Sequence, residues 1–430
     1  MKTLNVDVAI VGGGIIGCAT AWYLTARGLK VAVLEKGQIA CEQSSRNSGF
    51  VRKQGRDARE MPLIKRSLEL WSRIDREIEG ETGFAVAGNL AVAGTEAKLE
   101  SMAEWLSVAR EFGVDSEILT GDRLAEVAPR LRSGFKGALY TPSDARGEPF
   151  LAGPAIAAAL VRKGAEVHEN CHVQALEMTG GRITGVQTEK FAVKAKTVVV
   201  AAGLWSRIFL SRYGVHVPQS DLKISVGRTA PFAHGLTIPS WTPDVLVRPR
   251  LDGGLTIALG MTRPADFELT SRSLAVGGRF IPTYMANRKG VSIHVGKRFL
   301  ENQRWTSAYL STDPSRYGEI RIPVVKPNAA ELEKGTRFAV TDFRFDRPIT
   351  LADSWACRVD VTPDGVPVID EVLPGLVVAT GMSGHGFGIS LGVGEAVAEL
   401  ISTGSSTISL EAFRLDRFKQ RYFAAPQNVL

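Results

Sequence analysis

VDVAIVGGGIIG, residues 6–17, decides the fold of this 430-residue chain. A run rich in β-branched residues breaks into glycines, and small and apolar residues follow from Cys18 to Leu24. This pattern predicts a strand, a tight turn and a helix. A second strand is predicted over Lys30–Leu34, and it ends in Glu35. Strand, glycines, helix, strand and terminal acid in this order predict a dinucleotide-binding fold.

Each glycine of the turn has its own role in such a fold. Gly12 allows the sharp turn, Gly14 lets the backbone approach a pyrophosphate, and Gly17 lets the helix pack closely on the strand. The helix N-terminus then presents N–H groups and a positive dipole end to the phosphates. Glu35 lies at about the distance, roughly 20 residues, expected of the acid that holds a ribose hydroxyl.

The composition is that of an ordinary globular protein, long enough to form two lobes. The net charge of +7 includes no block of like charges, so nucleic acid is not a predicted partner. Four widely spaced cysteines with no CxxC pair argue against a zinc site and a disulfide framework, and no metal is predicted. We expect a reducing, cytoplasmic location, because neither a signal peptide nor a membrane-spanning run is recognisable.

Three later segments also predict a backbone that a cofactor can approach. Residues 196–207, KTVVVAAGLWSR, predict a buried strand that ends in small residues and enters a glycine turn and helix, and a third strand–glycine–helix turn follows Leu376–Thr380. His385 lies in that turn and is a candidate cofactor or substrate contact, although a lone histidine is more often structural. A polar loop after Glu35 is either solvated or donates to phosphates or an isoalloxazine ring. Its donors are Ser44, Ser45, Arg46 and Asn47.

Two regions are rich in strand patterns. Short strands from Glu166 to Val193 predict a β-meander, and alternation from Leu222 to Phe345 predicts a second lobe. Within that lobe Arg248 and Arg250 share one strand face, which is expected to face solvent unless it holds an anion. Residues 271–304 are interpreted as a surface helix pair. Peripheral contact with the inner face of a membrane is the alternative there.

Four landmarks in order resemble the FAD-dependent D-amino-acid oxidase and amine dehydrogenase superfamily: GGGIIG with Glu35, TVVVAAGLWS, TPDGVPVID and ATGMSGHGFG. Residues 42–46 resemble the flavin-facing loop of the branch that contains bacterial amino-acid dehydrogenases and L-amino-acid deaminases. The resemblance implies an α/β fold with an α+β insert. A discontinuous Rossmann-type FAD-binding domain (1–60, 146–221 and 350–430) would carry a β-rich substrate-binding domain (61–145 and 222–349).

The resemblance also assigns residues to FAD. The glycine turn would hold the pyrophosphate, Glu35 the adenosine ribose and Val173 the adenine through its backbone. The SGHGFG turn would line the pyrimidine edge of the flavin, where the following helix stabilises negative charge. The residues expected to bind FAD are Gly12, Gly14, Ile15, Ile16, Gly17, Glu35, Lys36, Ser44, Ser45, Arg46, Asn47, Val173, Ala201, Ala202, Gly203, Trp205, Gly384, His385, Gly386, Phe387 and Gly388.

The chain departs from the family pattern at the arginine that grips the substrate carboxylate. Oxidases of D-amino acids and glycine carry it in the run before TPDG, but here Arg358 comes one place early and Val359 occupies its position. A slip of one residue on a strand reverses the face. Arg321, where L-amino-acid deaminases place their arginine, and Arg250 are the candidates instead. Cys357 has the spacing to TPDG at which monomeric sarcosine oxidases attach flavin, although a buried, unreactive cysteine is expected.

The resemblance implies oxidative deamination of an amino acid by hydride transfer from Cα to flavin N5, with a quinone or oxygen as electron acceptor. D-amino acids and cyclic secondary amino acids such as proline or hydroxyproline are the favoured substrates. His385, Arg321 and Arg250 are the catalytic candidates. The alternatives are another amine dehydrogenase, acting on a sarcosine-like or opine substrate, and a non-catalytic flavoprotein-like subunit. The C-terminal motif disfavours a flavin monooxygenase, and the lack of a second GxGxxG disfavours a nicotinamide dehydrogenase.

Overall fold

The computed structural model describes residues 3–260, 265–288, 291–296, 299, 318–420 and 426. The strands are β1 (Thr3–Asn5), β2 (Val8–Val11), β3 (Val31–Leu34), β4 (Phe50–Val51), β5 (Ala85–Val86), β6 (Asn89–Ala93), β7 (Glu117–Leu119), β8 (Gly137–Thr141), β9 (Ala145–Arg146), β10 (Glu166–His168), β11 (Val173–Thr179), β12 (Arg182–Thr188), β13 (Ala192–Lys194), β14 (Thr197–Val200), β15 (Ser220–Thr229), β16 (Ser240–Trp241), β17 (Val245–Pro249), β18 (Leu255–Leu259), β19 (Ala265–Leu269), β20 (Val291–Val295), β21 (Leu351–Val361), β22 (Val368–Leu373) and β23 (Leu376–Thr380).

The α-helices are α1 (Ile15–Ala26), α2 (Gln43–Arg46), α3 (Met61–Glu77), α4 (Glu96–Glu111), α5 (Gly121–Val127), α6 (Pro149–Arg162), α7 (Ser206–Ser211), α8 (Ser271–Asn287), α9 (Ala329–Asp342) and α10 (Gly386–Thr403). Short 3₁₀ helices cover Ala58–Glu60, Gly203–Trp205, Glu411–Phe413 and Leu415–Lys419. Among the described helices, none is long and apolar enough to cross a membrane.

The N-terminal stretch forms the centre of a six-stranded sheet with the order β10-β3-β2-β14-β23-β22. All pairs are parallel except β22 with β23. Every residue of β2 and β3 is buried, as expected for a parallel sheet covered on both faces. The turn into α1 needs its glycines, because Gly12 has a φ of +108° and a Cβ on Gly17 would lie 2.0 Å from the Gly12 carbonyl oxygen. The predicted Rossmann-type core is confirmed.

A four-stranded sheet with the order β1-β13-β12-β11 packs beside this core. It contains most of the predicted meander, since β11, β12 and β13 pair in antiparallel succession. The prediction is wrong for Glu166–His168, because β10 pairs in parallel with β3 at the edge of the Rossmann sheet. The two paired strands are more than 130 residues apart in the sequence, as in the pair Glu166 and Ala32. The local sequence pattern does not show such a pairing.

The second lobe is built on a large mixed sheet with the order β20-β19-β15-β18-β17-β16-β6-β8-β7, to which β21 adds by pairing with β15. Helix α9 packs on β17 and β18. The core between them contains Leu90, Val247 and Phe343, all at most 1% exposed. β21 lies wholly within the segment 350–430 that was predicted for the FAD-binding domain, yet it pairs with β15 of this sheet. The domain boundaries stay predictions.

The predicted surface helix pair over 271–304 is only half present. α8 covers Ser271–Asn287, but Val291–Val295 form β20, which pairs in parallel with β19. The β-branched residues of this segment fit a strand that extends the sheet. Residues 289–290, 297–298 and 300–304 lie outside the described part of the chain.

Candidate active site

One continuous cavity of about 910 Å³ runs from the carboxyl ends of β2 and β3 to the sheet of the second lobe. This is where ligands bind in open α/β sheets. Most of the residues predicted to bind a dinucleotide lie in its wall. They are Gly12, Gly14, Ile15, Ile16, Glu35, Lys36, Ser44, Asn47, Val173, Ala201, Ala202, Gly203, Trp205, Gly384, His385, Gly386 and Phe387.

Four of the predicted residues are absent from the cavity wall, and each has a different place. Gly17 packs against Gly12 behind the turn. Gly388 is buried, and its carbonyl oxygen accepts hydrogen bonds from the side chains of α3. Ser45 donates to the carbonyl oxygen of Glu42 within its own loop. The carbonyl oxygen of Arg46 accepts a hydrogen bond of 3.1 Å from the indole N–H of Trp355 on β21. These residues support the wall from behind.

The N-terminus of α1 opens on the cavity. Gly14 is its N-cap and supplies no side chain to the first turn. The hydroxyl of Ser44 accepts the Ile15 N–H at 2.9 Å, which joins the polar loop to this end of the helix. Backbone N–H groups and the positive end of the helix dipole favour an anion at this position.

Glu35 ends β3 at the rim of the same turn. Its two carboxylate oxygens accept the N–H groups of Gly13 and Gly37, each at 2.7 Å. Burial raises the pKa of Glu35, and these two backbone hydrogen bonds oppose that shift. Each oxygen keeps a lone pair, so the fixed carboxylate can still accept a ligand hydroxyl.

Lys36 and Trp205 form the adjoining wall. The Lys36 Nζ lies 3.4 Å from the centroid of the Trp205 ring and 3.3 Å from Glu42, which also accepts the indole N–H at 3.0 Å. Burial lowers the pKa of Lys36. The three side chains hold one another in a fixed arrangement.

His385 lies at the other end of the cavity, at the N-cap of α10. Its Nδ1 is 3.0 Å from one carboxylate oxygen of Glu60 and 3.2 Å from the other. Burial lowers the pKa of His385, while Glu60 acts in the opposite direction. Burial would raise the pKa of Glu60, but His385 and Arg56 outweigh it and hold that pKa below its usual range. The geometry is that of an imidazole Nδ1–H that donates to the Glu60 carboxylate.

Arg52 is the most informative residue that the sequence did not reveal. It lines the cavity and is 7% exposed. Its guanidinium donates to the carbonyl oxygen of Gln54 and lies 5.4 Å from the centroid of Trp241. Within the described residues, no carboxylate oxygen lies within 4.0 Å of it. Burial lowers its pKa to about 9, and Arg56 adds to this effect. A buried cation without a carboxylate partner fits an anionic ligand.

The only sequence signal for Arg52 is its place directly after the buried two-residue strand β4. Arg56 and Glu60 follow at helical spacing, and their side chains approach to 3.5 Å. This spacing is ordinary for a solvated ion pair. Their burial could not be read from it.

The expectation that Arg248 and Arg250 face solvent is wrong. Arg248 is 0% exposed and pairs through both terminal nitrogens with Glu148, at 2.8 and 3.1 Å. Arg250 lies on the same face, 3.8 Å from Glu148 and 3.2 Å from Asp252. The anion that these arginines need is a carboxylate of the protein. Neither residue lines the cavity, so the structure does not bring Arg250 to His385.

Arg321 lies beside Lys36, near the dinucleotide end of the cavity. Both terminal nitrogens pair with Glu189, at 2.7 and 2.6 Å, and one also donates to the Lys36 carbonyl oxygen. Like Arg250, it is absent from the cavity wall. Arg321 therefore holds the backbone of Lys36 at the dinucleotide end of the cavity. This position does not favour the predicted contact with a substrate carboxylate.

Arg358, which comes one residue earlier on β21 than in the family pattern, lies on the opposite face of the strand, as predicted. Arg358 turns away from the cavity and pairs with Asp221 at 3.0 Å and with Glu268 at 2.8 Å. Val359 lines the cavity in its place. Cys357 also lines the cavity, but burial raises the pKa of its thiol to about 12. It is therefore an unreactive thiol in this setting.

The wall between Arg52 and the second lobe is mainly apolar. Trp241 packs on Phe50 with ring centroids 4.7 Å apart, and its indole N–H donates to Asn89 at 3.2 Å. Further apolar side chains come from β17, β19 and α8: Leu246, Phe267, Leu269, Phe280, Ile281 and Tyr284. The described residues contain no group of three or more His, Cys, Asp or Glu that could hold a metal ion.

Comparison with known proteins agrees with this geometry. A family model described as FAD dependent oxidoreductase, DAO, matches residues 7–400. The chain is 26% identical to the 4-methylaminobutanoate oxidase (formaldehyde-forming) of Paenarthrobacter nicotinovorans, over 96% of this chain and 46% of that protein. It is 25% identical to a D-amino acid dehydrogenase of Xylella fastidiosa, over 98% of both chains. The chain thus spans about half of the first relative and nearly all of the second.

Among solved structures, the chain resembles L-amino acid deaminase from Proteus myxofaciens in complex with anthranilate. The TM-score is 0.90 with 26% identity, over 98% of this chain and 95% of that one. The match extends through both the Rossmann core and the second lobe.

Proposed function

We propose that this chain, which belongs to the DAO family of FAD-dependent oxidoreductases acting on amino acids or amines, catalyses the oxidative deamination of an amino acid. The substrate class that we propose is a D-amino acid or a cyclic secondary amino acid such as proline or hydroxyproline. The observation that carries the proposal is Arg52, a buried arginine without a carboxylate partner among the described residues, in the apolar end of the cofactor cavity.

The cavity fits FAD by its own geometry. A Cβ on Gly12 would lie 2.5 Å from the Ala201 carbonyl oxygen, so the tight turn requires glycine there. Gly14 adds no side chain at the N-terminus of α1, where a pyrophosphate would approach. Glu35 and the N-terminus of α1 provide the acceptor and the donors that a ribose and a diphosphate need. Bound FAD supplies the two-electron acceptor that side chains lack.

Arg52 would hold the substrate carboxylate. A guanidinium donates in a fixed fork that matches a carboxylate, and the aromatic face of Trp241 keeps it in place. Arg52 is 7% exposed, and burial of this kind strengthens an ion pair. Holding the carboxylate fixes Cα and the amine within the same end of the cavity, and such positioning is worth several kcal/mol of barrier.

The apolar wall would receive the substrate side chain. Phe50, Trp241 and Leu246 come from three different strands and converge beside Arg52. The Proteus relative was solved with anthranilate, which joins a carboxylate and an amine to an aromatic ring. The carboxylate of such a ligand would pair with Arg52, and its ring would pack on the apolar wall.

Oxidation of another amine, sarcosine-like or opine, stays the alternative, since the relatives include a methylaminobutanoate oxidase and a sarcosine oxidase subunit. A non-catalytic subunit is the second alternative. The electron acceptor that we propose is a quinone or oxygen. Peripheral membrane contact would use α8, where Leu274, Ile281 and Met285 are each more than half exposed.

Anaerobic titration tests the proposal. The purified, FAD-loaded protein is mixed with a panel of D-, L- and cyclic amino acids, with sarcosine and an opine as comparison amines, and the flavin absorbance is followed before air is admitted. We expect bleaching by a D- or cyclic amino acid. Recolouring in air within seconds indicates an oxidase, and slow recolouring indicates a dehydrogenase. Bleaching by comparison amines alone, or by nothing, contradicts the amino-acid proposal.

A further inference from the structure

Glu60 holds one edge of the His385 ring. It ends the 3₁₀ helix Ala58–Glu60, is 0% exposed, and places both carboxylate oxygens within 3.2 Å of Nδ1. The other ring nitrogen, Nε2, makes no hydrogen bond to any residue in the described part of the chain. Since His385 lines the cavity, Nε2 is the nitrogen left for a ligand.

A carboxylate next to one imidazole nitrogen decides the tautomer. An ionised Glu60 only accepts hydrogen bonds, so a neutral His385 keeps its proton on Nδ1. Nε2 then carries a lone pair and can only accept. An acceptor at this position recognises an N–H donor and cannot recognise an ether or carbonyl oxygen.

The charges around the pair keep it in this state. Arg56 lies 3.5 Å from Glu60 and donates to the carbonyl oxygen of Arg52 at 3.0 Å. Glu60, Arg56 and Arg52 are the charged groups that act on His385. Arg56 offsets the Glu60 charge, and Arg52 is left for an anion. Arg52, which the proposed function assigns to the substrate carboxylate, and the lone pair on the His385 Nε2 therefore face the same cavity.

We propose that Glu60 is a positioning residue that fixes His385 as the Nδ1–H tautomer, so that Nε2 accepts a hydrogen bond from the neutral amine of the substrate. This inference rests on the proposed function, because it assigns the amine partner in the site where Arg52 holds the carboxylate. It names Glu60, which lies outside every sequence motif of the chain, as a determinant of amine recognition.

Nitrogen NMR of the FAD-loaded protein tests the tautomer without turnover. The chain has six histidines, so ¹⁵N-histidine labelling gives few signals, and the His385→Asn variant assigns the relevant one. We expect a proton on Nδ1 in the wild type and a shift towards Nε2–H in Glu60→Leu. Glu60→Gln, a milder change, should give a mixture, because an amide can accept or donate. Glu69→Gln, at an exposed position of α3, is the matched control and should leave the signal unchanged.

Benzoate and anthranilate test amine recognition, because they share a carboxylate and a ring and differ by one neutral amine. Binding is read from the perturbed flavin spectrum of the holoprotein. We expect anthranilate to bind more tightly than benzoate in the wild type, and Glu60→Leu to reduce that preference about fivefold to tenfold with little effect on benzoate. Glu69→Gln should keep the preference.

The outcomes separate the two proposals. Failure of benzoate and anthranilate to bind overturns the carboxylate site of the proposed function, and the NMR result then decides on the tautomer alone. An Nε2–H tautomer in the wild type overturns the role of Glu60. So does an Nδ1–H tautomer retained in both Glu60 variants, or an equal loss of affinity for the two ligands.

Discussion

Replacing Arg52 by leucine tests the assumption that Arg52 binds the substrate carboxylate. The variant leaves a substrate carboxylate buried without its cation, and breaking such a pair costs about 3 kcal/mol or more. At 1.36 kcal/mol per factor of ten, we expect kcat/KM to fall by about 100-fold to 1,000-fold. Because Arg52 is 7% exposed and lacks a carboxylate partner among the described residues, its removal should leave thermal stability unchanged or raised.

Anaerobic stopped-flow measurement of flavin bleaching gives the rate and the substrate affinity, and thermal unfolding gives the stability. Arg250→Gln and Arg321→Gln are matched controls, since both arginines already pair with carboxylates of the protein. They should change substrate affinity less than threefold. A threefold or smaller effect of Arg52→Leu, or a large effect of either control on substrate affinity, would refute the assignment.

Three further results are expected. Gly17→Ala should abolish FAD retention, measured as flavin content after purification, because its Cβ would lie 2.0 Å from a backbone oxygen; full flavin content contradicts this. Acid precipitation should release all FAD to the supernatant, because burial raises the pKa of Cys357 to about 12, whereas flavin in the pellet would show attachment. His172 has its pKa lowered to about 4 by burial, so the unfolded state takes up its proton first as the pH falls below 6.5. Between pH 6.5 and 4, the free energy of unfolding measured in urea should fall by up to about 3 kcal/mol more for the wild type than for His172→Leu. Parallel curves of unfolding free energy against pH for the two proteins would contradict this.

The parts of the fold that the sequence predicts well are those that local chemistry determines. The glycine turn at residues 12–17 is one, since its steric requirements involve near neighbours. The strand Leu376–Thr380 is another, where the predicted and observed bounds agree because a short apolar run ends directly in a glycine turn. The cofactor end of the cavity could be predicted because these glycine turns form its wall.

The substrate end could not be predicted in the same way, because its contacts join distant segments. Glu60 and His385 are 325 residues apart, and nothing in the local pattern of either shows the other. Alternation correctly placed Arg248 and Arg250 on one face, but the burial of that face depends on Glu148, about 100 residues away. Arg321 was assigned by spacing within a motif, and its partner Glu189 lies 132 residues earlier.

Deuterium at Cα of the substrate tests the central claim most directly. The FAD-loaded protein is mixed anaerobically, in a single turnover, with the amino acid that bleaches it and with the same amino acid carrying deuterium at Cα. If the chain oxidises the Cα–N unit of an amino acid, bleaching slows several-fold with deuterium. Equal rates for the two substrates, with binding excluded as the slow step by their concentration dependence, would contradict oxidation at Cα.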